Sequence, residues 1–292
     1  MTVKALKKQL MAAIAMVVVS AIALSSSTYA WFANNSKVTA TGMQVQATVE
    51  GGIEIAHAVA SGSSATYSTS ESTTLAQALL NPTSTVNGTA WYHASADNAT
   101  ASAARVNTYK TLTLKDDSST GVGYEDANGD DTVDAGEHKY YLKDTFNIRS
   151  VSSQLAKDLT VDSVTVTGAT KATSDALRVL VKLDDTHFII YAPKRGTLTA
   201  YDVYSGYTES TEEGVTTYTA TKAGTVTIQD STAQKLLADA NAVIPTKGEG
   251  NVNGGVDVQI YVYFEGEDAN LYTNNFQAEN ITVTVNFSAT VG

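Results

Sequence analysis

Apolar side chains recur at every second position over much of this chain, the period of a strand with one face buried and the other in water. Gln44, Val45, Gln46, Ala47, Thr48, Val49 and Glu50 alternate without a break, and residues 161–166, 177–183, 225–228, 256–264 and 281–291 follow the same rule. Each of these runs predicts a strand. The 15 tyrosines, the abundant Thr and Val and the mere 3 prolines agree, because β-branched and aromatic side chains suit a pleated surface. Val38 and Ala40 share a face, Met43 falls out of phase, and Val45 resumes it, so a bulge is predicted at Gly42.

Helical spacing is confined to two places. Residues 74–80 are stopped by Asn81-Pro82, and residues 231–243 put Leu236, Leu237, Ala240 and Val243 on one face, with Ser231 as N-cap and Pro245 beyond the end. Residues 61–74 and 93–104 are dominated by Ser, Thr, Ala and Asn and read as surface loops. No fixed-period repeat and no Pro-rich linker divides the chain. The fold predicted is all-β: a two-sheet antiparallel β-sandwich, jelly-roll-like, with loop and helix insertions at about 61–150 and 184–250. It forms a single domain, residues 31–292, behind a signal helix in residues 1–30.

That signal is read from three features in order. Lys4, Lys7 and Lys8 precede an apolar run over residues 10–24, and the run is followed by Ser25, Ser26, Ser27, Thr28, Tyr29 and Ala30 before Trp31-Phe32. Its 15 residues fall short of the ~20 that a helix needs to cross a hydrocarbon core of ~30 Å. Thr28 and Ala30 offer a signal peptidase the small side chains it needs at the third-last and last positions. Cleavage between Ala30 and Trp31 is expected, with no stable membrane span afterwards and a secreted product, in the extracellular matrix or at the cell surface.

Removing three lysines and no acid takes the formal charge from -11 to -14. Such a surface repels nucleic acid and anionic lipid and favours cations, so no nucleic-acid partner is expected. With no cysteine in the chain there are no disulfide staples, and stability must come from core burial, bound ions or assembly.

One stretch carries the spacing of a calcium loop. In residues 126–137, oxygen-bearing side chains stand at Asp126, Asn128, Asp130, Asp134 and Glu137, positions 1, 3, 5, 9 and 12. Thr132 stands at position 7, where only a backbone carbonyl is needed, and Val133 supplies an apolar anchor at position 8. Ca²⁺ takes about six to eight hard oxygens, and ligands at alternate positions of such a loop can wrap one ion while the final Glu clamps it with both oxygens. Asp131 occupies the position where Gly usually makes the sharp turn, and Asp tolerates positive φ better than most residues. The flanks, residues 121–124 and 138–146, read as turn and strand, so the loop is expected at the tip of a β-hairpin. An acidic hairpin tip that binds nothing is the alternative.

Catalytic patterns are absent. His57, His93, His138 and His187 are far apart, with no H-E-x-x-H pair and no Cys to complete a zinc site. No G-x-S-x-G elbow marks a serine. Gly248, Gly250, Gly254 and Gly255 precede a strand and open no helix, which argues against a phosphate cradle. An enzyme is not expected.

The two ends of the chain together carry a resemblance. Thr28-Tyr29-Ala30 followed by Trp31-Phe32, an Asn/Ser/Lys stretch and the strand from Val38 resembles the export signal and mature start of the TasA/camelysin family of Gram-positive bacteria. Residues 256–264, the turn at Glu265-Gly266-Glu267-Asp268, Thr273-Asn274-Asn275 and residues 281–291 look like the closing strands of that family's jelly roll. The likeness covers about a quarter of the chain. It implies a precursor cut by a dedicated signal peptidase, and a subunit that polymerises with copies of itself into fibres of a biofilm matrix or cell surface, alongside other matrix or surface components. Each subunit would lend its N-terminal strand to the next, through Trp31, Phe32, Val38 and Ala40. The alternative is a monomeric surface module binding glycan or protein through its Tyr-rich loops around residues 191–218.

Overall fold

The computed structural model describes residues 38–40, 44–50, 52–58, 65–74, 78–93, 106, 108–134, 137–151, 154–169, 175–193, 198–237, 243–245, 254–267 and 281–291. The chain divides into residues 1–37 and residues 38–292, and the described residues all belong to the second unit.

The strands are β1 (Val38–Ala40), β2 (Gln44–Glu50), β3 (Ile53–His57), β4 (Ser70–Thr74), β5 (Ala78–Leu80), β6 (Thr83–Thr85), β7 (Trp91–His93), β8 (Lys110–Leu112), β9 (Lys115–Asp117) and β10 (Val122–Tyr124). They continue as β11 (Lys139–Ser150), β12 (Ala156–Thr167), β13 (Leu177–Lys182), β14 (Phe188–Tyr191), β15 (Ala200–Glu212), β16 (Val215–Gln229), β17 (Gln234–Lys235), β18 (Val243–Ile244), β19 (Val256–Phe264) and β20 (Thr282–Val291). Each alternating run read from the sequence corresponds to a strand, with residue 183 just past the end of β13 and residue 281 just before β20.

An 11-stranded sheet runs in the order β1-β5-β11-β19-β13-β14-β16-β15, with β10 and β3 also pairing β11, and β9 pairing β10. A 6-stranded sheet runs β17-β12-β20-β2-β4, with β18 also on β12. The two pack face to face as an all-β sandwich. Val258, Ile260, Val262 and Phe264 of β19 meet Val283, Val285 and Phe287 of β20 and Val161 and Val164 of β12 in one core, all of them fully shielded from solvent. The alternation explains this, since residues two apart on one strand share a face.

β19 departs from alternation at Tyr261-Val262-Tyr263-Phe264 because both of its faces are covered. Tyr261 and Tyr263 point away from the sandwich core into a second cluster with Tyr140, Tyr141, Leu180, Ile190 and Trp91. That face lies under a small third sheet, β6-β7-β8. Trp91 packs on Tyr141, Tyr263 and Tyr261 with ring centroids 4.4, 5.1 and 5.7 Å apart.

Several expectations need correction. Neither predicted helix forms among the described residues. Thr74 closes β4 and residues 78–80 form β5, which pairs with β1 and meets β11 at Leu80↔Lys139. At the second site Gln234 and Lys235 pair with Val161 and Thr160 of β12, and Leu236 and Leu237 are buried there with both N–H groups donating to the Leu159 carbonyl. Val243–Ile244 pairs with β12 as well. Seven or thirteen residues of helical spacing are too few to hold a helix by local bonds alone, and a sheet edge nearby offers the backbone better partners. Residues 70–74, read as loop, are the edge strand β4, whose polar side chains are tolerated because its backbone pairs with β2. The sheets are mixed rather than purely antiparallel: β2 runs parallel to β20, β14 to β16 and β5 to β11. The span 61–150 also holds β11, a central strand and no insertion. Residues 41–43, where a bulge was predicted, lie outside the described residues, as do residues 94–104 of the second polar stretch.

Candidate functional site

β10 and β11 are antiparallel neighbours in the register Val122↔Leu142, Gly123↔Tyr141 and Tyr124↔Lys139, and β9 completes the meander. The acidic loop is therefore the tip of a β-hairpin, closed at its base by the Glu125 N–H donating to the His138 carbonyl over 2.9 Å. Val133 packs against the sandwich core and pins the loop down.

Within the loop the side chains organise the backbone. Asp126 Oδ1 accepts from the Gly129 N–H at 2.7 Å and Oδ2 from the Asp131 N–H at 3.2 Å. Asp130 Oδ1 accepts from the Thr132 N–H at 2.9 Å and its hydroxyl at 2.7 Å. Glu137 reaches back across the loop, Oε1 accepting from the Ala127 N–H and Oε2 from the Asp134 N–H, both at 3.0 Å. Asp131 has φ 62°, the left-handed conformation for which a calcium loop normally carries Gly at its sixth position.

Asp130 Oδ2 and Asp134 Oδ2 converge on the Asn128 side-chain nitrogen, at 3.1 and 2.9 Å. Lys115 of β9 donates to Asp126 Oδ2 at 2.6 Å and to Asp131 Oδ1. The Asp126 side chain is only 3% exposed, and the bond from Lys115 outweighs that burial, holding the carboxyl down at about 2. The same two acids push the Lys115 ammonium upward. Asp130 is also lowered, chiefly by the Thr132 hydroxyl.

The donor set is hard oxygen throughout, and the backbone has the required turn. Asp126, Asn128, Asp130, Asp134, Glu137 and the Thr132 carbonyl are the groups that could hold a hard divalent cation. In the present geometry no three His, Asp or Glu side chains among the described residues surround one point. The reason is visible: Lys115 holds the first carboxylate, the Asn128 amide bridges the two that converge, and Glu137 caps backbone N–H groups. Lys115 was invisible to sequence spacing because it lies on another strand, eleven residues before Asp126.

The other predicted residues fall elsewhere. Ala30, Trp31 and Phe32 lie outside the described residues. Val38 and Ala40 are on β1, opposite Leu80 and Ala78 of β5. His57 faces Asp144 and Glu71 at 3.5 and 3.9 Å, His138 faces Glu125 and His187 faces Asp184. His93 binds the Thr108 carbonyl, and burial lowers it. Of the Tyr-rich segment, Tyr191 is sealed in the core, Tyr204 stacks on Tyr109, and Tyr207 sits on Tyr218 along the exposed β15–β16 ribbon. Compared with protein-family models, curated proteins and solved structures, the chain matches none.

Proposed function

We propose that this chain is a secreted structural subunit of extracellular fibres in a biofilm matrix or on a cell surface, resembling the TasA/camelysin family. It is exported by residues 1–30 and assembles when the segment beginning at Trp31 docks on a neighbouring subunit. The observation that carries this reading is the place of β1. It ends one side of the 11-stranded sheet and holds on through three residues paired with β5. A neighbour offers the same β5 edge, so moving β1 from its own sheet to another copy replaces like hydrogen bonds with like, and repeating a head-to-tail contact builds an open filament. Trp31 and Phe32 add the apolar anchors, since each large aromatic left in water forgoes about 1.5–3 kcal/mol. Calcium bound by residues 126–137 would order the β10–β11 hairpin.

The test compares residues 31–292 with residues 38–292 by electron microscopy and mass photometry. The longer protein is expected to form filaments and the shorter to stay folded and monomeric. A shorter protein that still forms filaments would refute strand donation. Tyr207, exposed and packed on the half-buried Tyr218, favours the second reading, a monomeric glycan- or protein-binding module, and a longer protein that stays monomeric would favour it.

A further inference from the structure

Glu265 is a charged residue with no solvent exposure, placed where the small sheet meets the large one. It follows β19, its N–H donating to the Ala176 carbonyl at 2.9 Å, and it forms a parallel bridge with Thr83 of β6. Its Oε1 accepts from the Ser84 hydroxyl, itself on β6 and buried, and from the Glu267 N–H at 3.1 Å. Oε2 is sealed from water and no hydrogen bond of ordinary geometry reaches it, although the Tyr201 hydroxyl of β15 faces the same carboxyl. Tyr263 of β19 lies beyond, its hydroxyl 3.5 Å from that of Tyr201. Arg178 of β13 is the neighbouring cation, but its Nη1 donates to the Asp175 and Leu177 carbonyls at 2.7 and 3.1 Å. Tyr109, just before β8, donates to Glu267 Oε2 at 3.2 Å.

This surrounding suits a neutral acid better than a carboxylate. A buried ionised carboxylate needs donors on both oxygens, and an unmet one is costly. Burial raises Glu265 to about 7 against the pull of Arg178. Once ionised, the group gains by reaching water, and β6 is the element that lies over it.

We propose that Glu265 is a proton-controlled latch: neutral, it holds the β6–β8 sheet, with Trp91 on it, down over Tyr141, Tyr261 and Tyr263; ionised, it lets that sheet lift and uncover this aromatic face. The inference does not depend on how the subunits assemble. The sign follows from linkage: an acid raised in the closed state adds stability that is complete below its ordinary value of 4.5 and lost as pH climbs through about 7. Hydrogen exchange on the full chain, corrected for the intrinsic pH dependence, reads it at the Gly266 amide, which donates to the Thr83 carbonyl of β6 at 3.2 Å. From about pH 5.5 to 8.5 its protection should fall about 30-fold, while amides of the β12–β20 pair stay protected. In Glu265→Gln the fall should vanish. Equal protection at both pH values, or the same fall in Glu265→Gln, would overturn the latch. Ser84→Ala is the second variant, should the first not fold. It should loosen the small sheet already at about pH 5.5, and unchanged protection there would count against the latch equally.

Discussion

Replacing Gly123 with Ala tests how the hairpin that carries the acidic loop is seated. A Cβ built at Gly123 lies 2.1 Å from Tyr141 Cζ and 2.2 Å from Cε2, far inside van der Waals contact. Gly123 is not among the positive-φ residues, so its backbone would accept alanine and the obstacle is steric alone. The ring cannot retreat cheaply. Its hydroxyl donates to Asp116 Oδ1 at 2.6 Å, Trp91 lies on one side at 4.4 Å and Tyr261 on another at 5.2 Å. Overpacking of this kind costs about 1–3 kcal/mol, and the entropic gain of Ala over Gly in a strand returns only about 0.5–1 kcal/mol. A net loss of about 1–2 kcal/mol in a domain of this size lowers Tm by about 2–8 °C. Thermal unfolding followed by near-ultraviolet circular dichroism measures it. In a Tyr141→Leu background the alanine should cost almost nothing, because the two changes share one contact. A Gly123→Ala protein that melts like the parent, or one whose loss persists without the Tyr141 ring, would refute the reasoning.

The strands were legible because burial on one face writes itself as alternation, as in Val256–Phe264, whose bounds match the predicted run. Even there, Tyr261 and Tyr263 stand where a half-exposed strand would carry polar residues, and they hint at the third sheet that covers them. The predicted helices failed at sites where tertiary pairing decides: Leu236 and Leu237 fit a helix face equally well, but the Leu159 carbonyl claims their N–H groups. β4 was illegible because an edge strand satisfied by backbone pairing needs no apolar pattern, and Ser70–Thr74 has none. The loop was legible as a spacing of oxygens on a hairpin. The cation that now satisfies it, Lys115, depends on the β9–β10 register, Tyr124↔Lys115, which no local pattern encodes.

Two further outcomes are expected. Calcium at about a hundredfold excess over its Kd should add about 2.7 kcal/mol of stability, a rise in Tm that Asp126→Ala or Glu137→Ala abolishes and that Lys115→Met enhances by removing the competing ammonium. Superimposable melting curves with calcium and with chelator would make the loop an acidic turn and nothing more. The other outcome concerns His57, the last residue of β3, which meets Asp144 of β11 at 3.5 Å and Glu71 of β4 at 3.9 Å and rests on the Phe146 ring at 4.9 Å. β4 belongs to one sheet of the sandwich while β3 and β11 belong to the other, so a protonated imidazole ties the two sheets at this corner. The bond to Asp144 raises its pKa above 6.5 despite the opposing effect of burial. A base raised in the folded state contributes stability that is complete below 6.5 and disappears as pH rises through the folded value, so this tie weakens toward alkaline pH. The His57 ring is partly exposed, and water screens part of the effect. Ring resonances followed by NMR should titrate above 6.5 in the parent, and Asp144→Asn should bring the midpoint down; a midpoint at or below 6.5 in the parent would show that the carboxylates do not hold the proton and that His57 reaches β4 through the Thr73 hydroxyl, 2.7 Å from its Nε2, instead.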